Sequence, residues 1–122
     1  MKLIIAGSRD IKEAGHIIDV MVLGEDILLF PEEVVNGGCW GVDKAGVIWA
    51  KGVGALVKSF FPDWTRYGKS AGPIRNNQMA EHGDALLAIW DGESKGTFNM
   101  IEKADKHGLE MLIVTVGKIK EI

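Results

Sequence analysis

The chain has 122 residues and is 47% hydrophobic, enough for one domain spanning 1–122 that buries roughly two-thirds of its unfolded surface, so a disordered chain is excluded. Its formal net charge is −3, with no run of lysine or arginine, which excludes a protein whose main task is to neutralise duplex DNA. The single cysteine, Cys39, excludes an internal disulfide framework. His16, His82 and His107 lack ligand spacing, so no metal site is expected and no cofactor is inferred.

The apolar run at the start, Leu3 to Ala6, is too short for a signal peptide or a membrane span, so no membrane partner and a cytoplasmic location are expected. The run reads as a strand and ends in Gly7-Ser8-Arg9-Asp10. Ala14, Ile17, Ile18, Met21 and Val22 then recur with the spacing of an amphipathic helix. Val34-Val35 forms a second strand, followed by Asn36-Gly37-Gly38-Cys39-Trp40-Gly41. Val42, Ala45, Trp49 and Ala50 mark a second helix. Pro73 reads as the first residue of a further helix with a weak stripe, Ile74 and Met79, because a missing amide proton costs nothing there. Ala85 to Trp90 is the next strand. Ile101, Ala104 and Gly108 mark a helix before the last strand, Leu109 to Val116. Apolar runs without alternation belong to strands covered on both faces, so the pattern predicts an α/β three-layer sandwich around a mostly parallel sheet of about five strands.

The glycines gather where strands end. Gly7 allows a sharp turn and close approach of a ligand, with Ser8 and Arg9 as a hydroxyl and a cation for phosphate; a plain turn capped by Asp10 explains the same residues. In the second loop Gly37, Gly38 and Gly41 expose amides at a helix N-terminus, an anion site. The spacing is neither the dinucleotide fingerprint nor a P-loop. Trp40 stacks on a base or covers the loop; Asp43 meets a ribose hydroxyl or caps the helix. Pro73 places Arg75 and Asn76 in a first helical turn, where a cation opposes the helix dipole. That points to an anion, either a ligand phosphate or a salt bridge to Glu81 or Asp84. Ser94, Gly96 and Thr97 open the next helix with hydroxyls and amides, for a ligand or for ordinary capping. In a parallel sheet such loops converge on the carboxyl edge, where ligands bind.

Taken together, Gly7-Ser8-Arg9, Gly37-Gly38-x-x-Gly41-Val42-Asp43, Pro73-Ile74-Arg75-Asn76 and Ser94-Lys95-Gly96-Thr97 resemble the SLOG superfamily. This superfamily joins the LOG-type phosphoribohydrolases and the DNA-processing protein A family, and the segment from Trp64 to Pro73 looks like one of its short branches. The resemblance covers nearly the whole chain. It implies a Rossmann-like sheet that binds the phosphate and ribose of a nucleotide or nucleotide-derived small molecule, and pairing into a homodimer or higher homo-oligomer. Arg75 matches the active-site arginine of LOG-type enzymes. Their catalytic glutamate, however, falls at Met100, and methionine cannot serve as a base or stabilise an oxocarbenium ion. Asp91 and Glu93 are the nearby carboxylates that can substitute. The leading expectation is therefore a nucleotide sensor or sequestering protein without strong catalysis. Cleavage of a nucleotide N-glycosidic bond comes second. Single-stranded DNA binding comes last, disfavoured by the net charge.

Overall fold

The computed structural model describes residues 1–8, 11, 14–18, 31–38 and 41–117. Five strands form one sheet: β1 (Lys2–Gly7), β2 (Glu33–Asn36), β3 (Leu56–Ser59), β4 (Ala85–Trp90) and β5 (Glu110–Thr115). Their order is β3-β2-β1-β4-β5, and every pairing is parallel. Residues 14–18 are helical. The longer helices are α1 (Val42–Val53), α3 (Ala71–His82) and α4 (Lys95–Lys106), with the one-turn α2 (Trp64–Tyr67) and a 3-10 turn (Gly68–Ser70) leading into α3. No helix among the described residues is long and apolar enough to cross a membrane.

The apolar runs lack alternation because both faces of the sheet are covered. Leu3 and Ile5 of β1 pack with Leu87 and Ile89 of β4, with Ala14 and Ile18, and with Val42 and Ala50 of α1. Ile4 and Ala6 point the other way, onto Leu86 and Ala88, Met79 and Ala80 of α3, and Met100 and Ala104 of α4. The arrangement is thus the expected Rossmann-like three-layer sandwich. Helix α1 follows β2 on one face, and the crossover through α3 carries the chain to the other. Ala14 and Ile18, after β1, pack on one face and α4, after β4, packs on the other, which opens a crevice between these neighbouring strands, where α/β sheets bind ligands.

Three expectations are corrected. Helix α3 begins at Ala71, so Pro73 is its third residue, still within the turn whose amides have no intrahelical acceptor. Its buried face consists of Ala71, Asn76, Met79 and Ala80 rather than an Ile74 stripe, with Ile74 half-buried. The segment before α3 supplies the fifth strand, the edge strand β3, whose short apolar stretch, Leu56 and Val57, is exposed. The last strand is slightly shorter than expected, and Gly108 lies in the turn before it with φ 71°. Arg9, Asp10, Met21, Val22, Cys39 and Trp40 lie outside the described residues.

Candidate functional site

A cleft of about 460 Å³ opens at the carboxyl edge of the sheet, where β1 and β4 part. Ala6 and Gly7 come from the end of β1, and Asp43 from the first turn of α1. Gly72, Pro73, Arg75, Asn76 and Met79 come from α3, and Ser94, Lys95, Gly96, Thr97, Asn99 and Met100 from the start of α4. Trp64 of α2 completes the lining. Eight of the residues singled out from the sequence meet here: Gly7, Asp43, Pro73, Arg75, Asn76, Ser94, Gly96 and Thr97. The α3 element reaches the cleft although it does not follow a strand directly, because α2 and the 3-10 turn intervene.

Ser8, Gly37, Gly38 and Gly41 are not in the lining. Ser8 is buried; its amide donates to the Ile89 carbonyl at 3.0 Å and its hydroxyl accepts the Asp91 amide at 3.1 Å. It bolts the loop after β1 to the loop after β4. Gly41 precedes α1 with φ 80° and ψ −123°, a conformation open in practice to glycine alone. The turn it makes lets the Asp43 carboxylate reach back to accept the Gly37 amide at 3.0 Å. A side chain at Gly37 would run into the Arg75 guanidinium and the Asp43 carboxylate. Gly38 is exposed, and its amide is held by Asn36 Oδ1 at 2.8 Å.

Arg75 is aimed by its neighbours. Its Nη1 donates to the Gly37 carbonyl and its Nε to Asn76 Oδ1 at 2.9 Å. Asn76, buried, passes the connection on: its Nδ2 donates to Asn99 Oδ1 at 3.0 Å and to the Gly96 carbonyl at 3.4 Å. One polar chain therefore runs from the glycine loop through α3 to the start of α4. Glu81 and Asp84 do not balance Arg75. Glu81 accepts from Asn77 and Asp84 from the Lys2 amide. Nε and Nη1 thus anchor the guanidinium, which has five N–H donors in all, at the wall of the cleft.

Helix α4 begins at the cleft. Ser94 is its N-cap, accepting the Thr97 amide and hydroxyl, so the capping reading of this serine holds alongside its place in the lining. The Trp90 indole donates to the Ser94 carbonyl at 3.1 Å. Asp91 Oδ1 accepts the amides of Glu93 and Ser94, each at 2.8 Å. These two bonds hold the Asp91 carboxyl below its ordinary value of 3.8. Asp91 thus builds the loop, and neither it nor Glu93 lines the cleft, so the expectation that one of them stands in for a catalytic carboxylate is not supported by their placement. Asp43 is the acid in the lining, and Met100, 1% exposed, is part of the core beneath it.

Seven lining residues were not among the ligand-binding candidates of the sequence: Ala6, Trp64, Gly72, Met79, Lys95, Asn99 and Met100. Lys95 lies within a quoted motif. Asn99 follows Thr97 by two, and nothing in its local sequence signals its bond to Asn76. Arg75 and Lys95 against Asp43 make the lining net cationic on a chain of net charge −3. Among the described residues no cluster of His, Cys, Asp and Glu gathers that could hold a metal ion.

Compared with known proteins, no family model matches the chain, and no solved structure matches it. The chain is similar to the Gene 61 protein of Mycobacterium phage D29, with 32% identity over 119 residues, covering 91% of this chain and 94% of that protein. A likeness of this extent makes the chain a member of the phage Gene 61 protein family.

Proposed function

We propose that the protein binds a nucleotide or nucleotide-derived small molecule through its phosphate, as a sensor or sequestering protein of SLOG type, without strong catalysis. The observation that carries this reading is the meeting of the Arg75 guanidinium with the N-terminus of α4 in one cleft. A helix N-terminus offers amides and the positive end of a dipole, and a guanidinium offers paired donors; both favour a phosphate. The cleft's volume of about 460 Å³ suits a small molecule rather than a polymer.

The lack of strong catalysis follows from the acids. N-glycosidic cleavage needs a carboxylate near the ribose. By the resemblance Met100 takes the place of that group, Asp91 caps a loop, and the Asp43 carboxylate is engaged by the Gly37 amide. Asp43 is accordingly the residue on which the hydrolytic alternative would rest.

Calorimetric titration with nucleoside monophosphates tests the binding reading. Arg75→Ala removes a charge-assisted hydrogen bond worth roughly 1.5–3 kcal/mol, about ten- to a hundredfold in affinity. Arg75→Lys restores part of it, since lysine lacks the planar fork. Equal affinity of a folded Arg75→Ala chain and the wild type rules out the phosphate role. Release of free base by the wild-type chain overturns the non-catalytic half of the proposal and makes Asp43 the first residue to replace.

A further inference from the structure

Trp64 has no share in either hydrophobic core, yet it lines the cleft and is 58% exposed. Tryptophan is among the more buried residues on average, so an indole held open to water at the mouth of a cavity calls for an occupant. The chain fixes it there. Asp63 caps α2 by accepting the Arg66 amide at 3.1 Å, and its carbonyl accepts the Tyr67 amide at 3.0 Å. Residue 72 is glycine, and a Cβ there would already stand 3.8 Å from the indole Cη2, so the ring lies over the start of the helix that carries Arg75. The neighbouring exposed ring, Phe61, is committed elsewhere, against Gly38.

The lining has two characters. Arg75, Lys95 and the α4 terminus suit an anion, whereas Ala6, Met79 and Met100 add apolar surface to the indole. A ligand that matches both carries a phosphate and a flat aromatic group. We infer that Trp64 is the stacking platform for the ligand's base, so that the cleft selects a base-bearing nucleotide over a bare sugar phosphate. This deepens the phosphate-binding reading of the same cleft and rests on it.

Titration of the full chain with the four nucleoside 5′-monophosphates and with ribose 5-phosphate separates the two ideas. Stacking of a base on an aromatic side chain corresponds to about 5- to 100-fold in affinity. At least one nucleotide is expected to bind tighter than ribose 5-phosphate by that margin. Trp64→Ala should erase the margin and leave ribose 5-phosphate affinity unchanged, and Trp64→Phe should keep most of it. Equal binding of nucleotides and ribose 5-phosphate by the wild type overturns the stacking role while the phosphate site stands. An equal loss of both in Trp64→Ala makes the indole a structural support and also overturns it. Failure of all five probes removes both readings. If Trp64→Ala does not fold, fluorescence decides: nucleotide quenching seen in the wild type and lost in Trp64→Phe supports the platform, and equal quenching in both refutes it.

Discussion

Asn76 is the residue on which the geometry of the cleft turns, and Asn76→Ala measures how much. The side chain is 4% exposed. Its Oδ1 accepts the Nε proton of a guanidinium, a charge-assisted bond worth roughly 1.5–3 kcal/mol, and its Nδ2 donates to Asn99 at 3.0 Å, a neutral bond worth about 1 kcal/mol. The 3.4 Å contact with the Gly96 carbonyl adds little. Arg75 and Asn99 are only partly buried, so water takes over some of what each loses, and the net cost is about 2–3 kcal/mol. At this chain length 1 kcal/mol moves the melting temperature by about 4 °C, so Asn76→Ala should melt about 8–12 °C lower in a calorimetric scan. Asn99→Ala loses one neutral bond and should fall by about 4 °C. The double variant should lose less than the sum, because both single changes break the same bond. A melting point for Asn76→Ala within 2 °C of wild type, or strictly additive losses, would refute the claim that this network holds α3 to α4.

Two further outcomes follow from the same geometry. Met100→Glu places a carboxylate at a fully packed position among Ile4, Met79 and Leu86, and is expected to destabilise by about 3 kcal/mol or more without creating base release, checked by denaturant unfolding and chromatography of the reaction mixture; a variant as stable as wild type contradicts the packing described. Asp91 has a folded pKa held below 3.8 by the Glu93 and Ser94 amides, so its contribution to stability is complete above that value and is lost as pH falls below it. Asp91→Ala should therefore melt below the wild type at neutral pH, with the gap narrowing as the pH is lowered past 3.8, and a gap that stays constant through that range excludes the capping role.

The layers of the fold were legible because burial on both faces writes unbroken apolar runs, as at Leu3–Ala6 and Ala85–Trp90, and the glycine-rich loops marked where the cleft would lie. What escaped did so for identifiable reasons. Strand β3 is a four-residue edge whose side chains face water, so burial imposes no pattern on it. The start of α3 was misplaced by two residues because proline is tolerated throughout the first turn, not only at its first position. Ser8 was read as a ligand donor, whereas its hydroxyl joins two loops 83 positions apart, a partner that local sequence does not display. The bond from Asn76 to Asn99 spans 23 positions and was hidden for the same reason. Trp64 stood within a recognised segment, but its exposure depends on α2 turning it away from both cores.

The strand order also dictates when the cleft comes into being. The first strand sits in the middle of the sheet, and its second neighbour arrives late: the Lys2 amide meets the Asp84 carboxylate across 82 positions. Closing so long a loop is entropically slow, and during synthesis one flank of β1 waits bare, with Ile4 and Ala6 uncovered, until β4, α3 and α4 have emerged. The cleft, drawing on residues from Ala6 to Met100, is then among the last features to form. An intact cleft consequently requires that the late-joining half of the sheet has docked onto the early one.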